Sequence, residues 1–151
     1  MSMPQKTGET DSLPSAVSCD YMNQKPVICI VGPTASGKTD FAQELAVALD
    51  GEVVSADSMQ IYRGMDIGTG KIPCSERKVP HWGFDLVDPG QEYSAALFQE
   101  YARNAFYDIA KRGKQAILCG GTGLYVRAAI DDYRFPAGAQ DDNPVRAKYT
   151  A

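Results

Sequence analysis

The chain has 151 residues, 44% of them hydrophobic and 23% charged, with a formal charge of −4; at roughly 150 residues per domain this is one globular domain with enough apolar material for a core. No apolar run approaches the roughly 18 to 20 residues of a membrane span, and the polar and small residues at 7–18 do not make a secretion signal. The acidic balance excludes a general nucleic-acid coat and confines any RNA contact to a basic region, for which residues 103–148 are the candidate.

Residues 1–25 are rich in Ser, Thr, Pro and Gln without apolar periodicity, which reads as a disordered leader ahead of a folded domain at 26–151. Met22 is an alternative translation start. The β-branched run at 27–31, ended by Gly32-Pro33, predicts a first central strand buried on both faces of a parallel sheet. From Lys38 the apolar residues Phe41, Leu45, Ala48 and Leu49 recur at helical spacing until Gly51 supplies a stop. A second strand is predicted at 52–56 and another at 84–87. Ser94 is the expected N-cap of a helix running to Arg112, with Tyr93 and Phe98 as a hydrophobic staple, Phe98, Tyr101, Ala105 and Ile109 facing inward, and Gly113 ending it. A buried strand at 115–119, the loop Gly120-Gly121-Thr122-Gly123 and a helix at 124–130 follow. Strands alternating with helices predict a doubly wound α/β sheet. Only about four strands can be counted and a further helix starts near 144–149, so the sheet is expected to be unfinished, the N-terminal part of a longer domain. The four cysteines, Cys19, Cys29, Cys74 and Cys119, form no C-x-x-C pair, which predicts neither zinc nor a disulfide framework but reduced thiols in a cytoplasm.

Gly32-Pro33-Thr34-Ala35-Ser36-Gly37-Lys38-Thr39 matches G-x-x-x-x-G-K-[ST] in full, between a predicted strand and a predicted helix. Such a P-loop curls backbone N–H groups around phosphate oxygens, and the helix adds its positive end. Lys38 then reaches the outer phosphate, and the Thr39 hydroxyl is offered to Mg²⁺. A hydrolytic P-loop protein also needs an apolar strand ending in an acid. The strand at 116–119 is followed by Gly120 instead, and Asp85 interrupts 84–88. The exception is the strand leading to Asp57, at the carboxyl end where ligands bind in open α/β sheets. Asp57 is therefore the expected catalytic acid or base; a turn-capping role and a Mg²⁺ role are its alternatives. Thr122 is either at the active-site rim or an ordinary N-cap. The single histidine, His81, reads as structural, and the charges at 103–148 read first as solvated helix faces.

Five ordered motifs resemble the tRNA dimethylallyltransferases, also called tRNA isopentenyltransferases: the P-loop at 32–39, Asp57-Ser58-Met59-Gln60-Ile61-Tyr62, Gly64-Met65-Asp66-Ile67-Gly68-Thr69, Tyr93-Ser94-Ala95-Ala96-Leu97-Phe98 and Gly120-Gly121-Thr122-Gly123-Leu124-Tyr125. Gly70 stands where the family usually has Ala, and Trp82-Gly83-Phe84 varies a segment that usually carries a second His. The resemblance implies a P-loop NTPase-like sheet and transfer of a dimethylallyl group from its diphosphate to the exocyclic amine of the adenosine beside the anticodon of tRNA. It implies Asp57 as general base, Lys38 and Thr122 at the reacting groups, residues 32–39 on the diphosphate and Mg²⁺ on Thr39. It further implies tRNA contacts by Asp57, Ser58, Met59, Gln60, Thr122 and Arg146. A cytoplasmic monomer is expected. Family members continue into stem-gripping helices and further diphosphate-binding residues, so the 151-residue chain alone is expected to bind tRNA poorly and modify it little. Three other readings stay open: a P-loop small-molecule kinase using ATP, an adenylate isopentenyltransferase, and a diphosphate-binding domain without turnover.

Overall fold

A computed structural model of the chain describes residues 25–135. The leader at 1–24, Arg146 and the helix start at 144–149 lie outside the described residues. The elements run β1 (Ile28–Val31), α1 (Lys38–Ala48), β2 (Gly51–Ser55), β3 (His81–Trp82), α2 (Ala95–Lys111), β4 (Gln115–Gly120) and α3 (Gly123–Ile130), with a short 3₁₀ turn at Cys74–Glu76. The four strands are parallel in the order β1-β4-β2-β3. Because side chains alternate across a strand, β2 and β4 each feed both faces. Val53, Ile117 and Cys119 meet Ala42 and Ala46 of α1. Val54, Ala116 and Leu118 meet Phe98, Ala102, Ala105 and Ile109 of α2 and Tyr125 and Ala128 of α3. Helices on both faces make this the expected α/β architecture.

Ser94 accepts a hydrogen bond from the Leu97 N–H (3.2 Å), the N-cap that the sequence predicts. Tyr93 packs on the cluster around Phe98, and Phe98 stacks on Tyr125 with ring centroids 4.4 Å apart. Gly113 (φ 74°) ends the helix in the left-handed conformation, as expected.

Four expectations are corrected. β1 is paired on one side only among the described residues, and its burial alternates, with Cys29 and Val31 exposed, rather than being closed on both faces. On α1 the buried residues are Ala42, Gln43 and Ala46, whereas Phe41 is 60% exposed; small side chains one turn apart let the helix lie close to the sheet. The left-handed residue after α1 is Asp50 (φ 50°), and Gly51 is already the first residue of β2. The strand predicted at 84–87 lies earlier, at His81–Trp82, with Val87 reduced to one bridge to Tyr62. The chain must turn at Gly83 (φ 89°), where a Cβ would stand 2.6 Å from the Ser55 carbonyl oxygen, and Asp85 (φ 56°) breaks the extended backbone again.

Glu52, whose side chain is 2% exposed, is held by Arg112 through both carboxylate oxygens (2.5 and 2.9 Å) and accepts from Trp82 Nε1 (2.8 Å). The Arg112 hydrogen bonds keep the Glu52 pKa below its ordinary value, against burial, and Trp82 assists. A carboxylate depressed in the folded state contributes stability that is complete above its unfolded pKa and is lost as pH falls through the folded one. Glu52→Gln is expected to lower unfolding stability by about 1–3 kcal/mol at neutral pH, with the gap to the parent chain narrowing on titration into the acid range. Urea unfolding at a series of pH values measures this; a gap independent of pH would mean that the charge is not its source.

Candidate functional site

The motif at 32–39 joins β1 to α1, so parallel-sheet topology delivers its backbone to the carboxyl end of the sheet. Ala35 (φ 61°) and Gly37 (φ 77°) are both left-handed, and this change of hand turns successive N–H groups toward one concavity ahead of the helix N-terminus. Lys38 Nζ lies across the loop, donating to the Pro33 carbonyl (2.8 Å), which also accepts from Ser36 Oγ (2.8 Å). The loop thus holds its own cation over the place where phosphate oxygens would sit.

A cleft opens beside it. Thr34, Ala35, Lys38 and Thr39 form one wall; Val53, Ser55 and Asp57, successive inward positions of β2 and its extension, form the floor with Cys119 and Gly120; Gln60, Thr69, His81 and Phe84 close the far side. Lys38, Thr39 and Asp57, chosen separately from sequence, therefore share one cavity. Asp57 is half-buried, and its Oδ1 accepts from the Met59 N–H (2.8 Å). Among the described residues Oδ2 has no hydrogen-bond partner, which leaves one carboxylate oxygen for a ligand. The turn-capping contact thus occupies one oxygen of Asp57 and leaves the other unpaired.

Thr122 is not an ordinary N-cap. It precedes α3, yet its side chain makes no capping bond to that helix. Its Oγ1 accepts from the Ser58 N–H (3.0 Å) and lies 3.4 Å from Ser58 Oγ, while its own N–H donates to the Ala56 carbonyl (3.2 Å). The second glycine loop is thereby tied to the strip after β2. It also packs on the P-loop: a Cβ at Gly121 would lie 3.1 Å from the Gly32 carbonyl oxygen and 3.9 Å from Lys38 Nζ. Glycine here permits the close approach of the two loops, the Gly32 carbonyl being the tight contact.

Of the strip expected to face RNA, Met59 is exposed and Ser58 half-buried, but Gln60 is turned inward at 8% exposure. Its Oε1 accepts from Ser55 Oγ (2.7 Å) and its Nε2 donates to the Thr69 carbonyl (2.9 Å), so Gln60 lines the cleft and pins the 64–70 loop rather than presenting its amide outward. The same loop is stapled from below by Lys71, whose buried ammonium donates to the Tyr62 carbonyl, Asp66 and Asp85 (2.8, 3.0 and 2.7 Å). Burial works against the Lys71 charge, but the two carboxylates more than offset it and its pKa stands above the ordinary lysine value. Sequence reading assigned no site role to Ser55, Thr69, His81 or Phe84. The period of two through Val53, Ser55 and Asp57 could have found Ser55; Thr69 and Phe84 reach the cleft through loop packing, and His81 through β3, which the sequence reading placed later in the chain. Arg146 lies outside the described residues.

Burial pushes the Cys119 thiol up to about 11, with Lys38 opposing and Asp57 adding to the shift, which favours the protonated form of this cleft cysteine. Among the described residues no group of three or more His, Cys, Asp or Glu forms a metal cage. A hard cation that is held mainly by phosphate oxygens and water needs only one or two protein oxygens, and the Thr39 hydroxyl on the cleft wall is one that would serve Mg²⁺. No helix among the described residues is long and apolar enough to cross a membrane.

Residues 60–151 match the family model described as IPP transferase, and residues 25–79 match that described as isopentenyl transferase. The tRNA dimethylallyltransferase of Pseudarthrobacter chlorophenolicus is 58% identical over 76% of this chain and 39% of its own length. That of Bacillus subtilis is 48% identical over 78% of this chain and 38% of its own. The chain thus spans about two-fifths of the length of these relatives. Among solved structures, the full-length tRNA isopentenylpyrophosphate transferase of Bacillus halodurans superposes with a TM-score of 0.71 at 45% identity, covering 82% of this chain and 41% of that one. A eukaryotic dimethylallyltransferase captured acting on tRNA gives 0.68 at 35% identity, covering 76% and 30%.

Proposed function

This chain belongs to the IPP transferase family, and from that premise we propose that it carries the diphosphate-binding and proton-accepting part of an enzyme that transfers a dimethylallyl group from dimethylallyl diphosphate to the exocyclic amine of the adenosine next to the anticodon of tRNA. The observation that carries the reading is the meeting of Lys38, Thr39 and Asp57 on one cleft without a hydrolytic acid on β4, where Gly120 stands instead. A P-loop that holds a leaving diphosphate wants no attacking water.

In this reading the loop N–H groups and Lys38 bind the diphosphate and take up the charge that develops on it. As the carbon–oxygen bond to the diphosphate breaks, the adenine amine nitrogen forms the new bond to that carbon, and Asp57 Oδ2 accepts the proton the nitrogen sheds. Mg²⁺, held by Thr39 and the diphosphate, would add charge neutralisation on the leaving group when bound. Thr122 positions the Ser58 backbone at the mouth of the cleft, where Ser58 and Met59 meet the RNA; Arg146 extends that contact by family resemblance. The target base must leave its stack, which costs a few kcal/mol that a single-stranded loop keeps low. Such an enzyme works in the cytoplasm, where its tRNA is.

The test is to present the 151-residue chain, with Mg²⁺, to labelled dimethylallyl diphosphate, ATP, AMP and unmodified tRNA. Binding of the prenyl diphosphate with little ATP turnover is the expected result. Brisk ATP hydrolysis or phosphoryl transfer would replace this reading by that of a kinase, and prenylation of AMP by that of an adenylate isopentenyltransferase.

A further inference from the structure

Lys71 directly follows the loop at 64–70; its side chain is 3% exposed, and it does not itself line the cleft. An ammonium has three donors and no acceptor. Lys71 uses all three inside the protein, on the Tyr62 carbonyl (2.8 Å), Asp66 Oδ1 (3.0 Å) and Asp85 Oδ1 (2.7 Å). No donor is left for a phosphate, so this lysine, unlike Lys38, is not a ligand-binding cation. Its three acceptors belong to three segments: the strip that runs from Asp57 to Tyr62, the loop at 64–70, and the turn after β3. Each segment also delivers a residue to the cleft, namely Gln60, Thr69 and Phe84. Pairs of these segments meet through other bonds, the Leu86 N–H on the Ile61 carbonyl (2.7 Å) and the Gln60 amide on the Thr69 carbonyl (2.9 Å). Among the described residues, Lys71 is the one side chain hydrogen-bonded to all three. Asp85 has φ 56°, a left-handed conformation that costs free energy for any residue but glycine, and its carboxylate bond to Lys71 fixes this turn beside Phe84.

A buried ammonium is a poor source of stability, because its desolvation cancels most of the attraction and an apolar side chain of similar size does about as well. What it supplies instead is direction, three bonds from one point to three loops. Resting on the diphosphate reading above, we propose that Lys71 is a positioning residue for the cleft: without touching a ligand it holds Gln60, Thr69 and Phe84 in place opposite the P-loop, so that losing its ammonium weakens the binding of a ligand that reaches past the loop while the diphosphate group itself stays held.

The test uses the 151-residue chain with Mg²⁺ and two probes in titration calorimetry, inorganic diphosphate and dimethylallyl diphosphate. Lys71→Met keeps the length of the side chain. Asp66 and Asp85, with side chains 67% and 45% exposed, turn to water when the ammonium is gone, so the variant should keep a cooperative urea transition. It should bind dimethylallyl diphosphate about tenfold more weakly and inorganic diphosphate as the parent does. Asp85→Asn tolerates the left-handed backbone and reduces a charge-assisted bond to a neutral one, for a loss of about threefold on the prenyl probe alone. The double variant should be no weaker than Lys71→Met, because both changes cut one link. If Lys71→Met does not fold, Asp85→Asn carries the same test with the ammonium in place. The ring of His81, the only histidine, is stacked on Phe84 (5.5 Å, 17°), so its ring-proton shifts report the Phe84 turn and should move in both variants without ligand. Unchanged prenyl affinity, an equal loss on both probes, additive losses in the double variant or unmoved His81 signals each overturn the proposal. Inorganic diphosphate on the parent chain separates the two levels of failure. If it binds and the variants show no selective loss, only the role of Lys71 falls; if it does not bind, the diphosphate reading falls and this proposal with it.

Discussion

Lys38→Ala is expected to weaken binding of both inorganic diphosphate and dimethylallyl diphosphate by roughly thirty- to a thousandfold, the effect of removing about 2–4 kcal/mol from a charge-assisted contact. Lys38 is the only cationic side chain in the motif at 32–39. Its ammonium already lies across the loop on the Pro33 carbonyl, so little chain ordering is needed before it meets a phosphate. The loop N–H groups and the α1 terminus survive the substitution, which is why some affinity should remain. Alanine is a good helix residue at the first position of α1, so thermal unfolding of the variant should match the parent within about 0.5 kcal/mol. Titration calorimetry at fixed ionic strength measures the effect. A loss of less than threefold in a folded variant would place the diphosphate somewhere other than this loop.

Asp57→Asn is expected to reduce prenyl transfer by roughly 10² to 10⁴, the usual range for a lost general base, with diphosphate affinity little changed. The chain spans about two-fifths of its relatives, so turnover is best read in a chimaera that continues it into the C-terminal portion of the Pseudarthrobacter relative. Asparagine keeps the size of the side chain, and its carbonyl oxygen can still accept from the Met59 N–H as Asp57 Oδ1 does. The strip at 58–60 should therefore hold its shape. What disappears is the second oxygen as a proton acceptor. Single-turnover kinetics separates chemistry from binding; if diphosphate or Mg²⁺ affinity fell in step with the rate, Asp57 would be a metal-site acid and not the base.

Much of this site was legible because its chemistry is local. A phosphate-binding turn needs a glycine pattern, a lysine and a hydroxyl within eight positions, and Gly32 to Thr39 supply it in order. Asp57 could be chosen because a strand's carboxyl end is a consequence of its direction, and direction follows from alternating strands and helices. Ser94 and Gly113 act as the start and stop signals they resemble, since capping is settled within four residues. Tertiary contacts decided the rest. The apolar period of α1 suggested Phe41 and Leu49 as core, but what approaches a sheet closely is the face with the smallest side chains, Ala42 and Ala46. The stretch at 84–87 looks extended by composition, yet the backbone is bent by the close approach of Gly83 to Ser55.

The sequence by itself determined the class of fold and the family, and singled out the glycine loop, its lysine and an acid that share one cleft, because each depends on residue type and short spacing along one chain. Only the tertiary structure decided that Gln60 turns inward to Ser55 and Thr69, that Thr122 ties two loops instead of capping a helix, that Glu52 finds Arg112 from 60 residues away, and that His81 lines the cleft from β3. The Thr122 and Glu52 pairings join segments 60 or more residues apart. Hydrogen-bond partners at that separation are chosen by which loops the packed sheet brings together, and no local propensity encodes that choice.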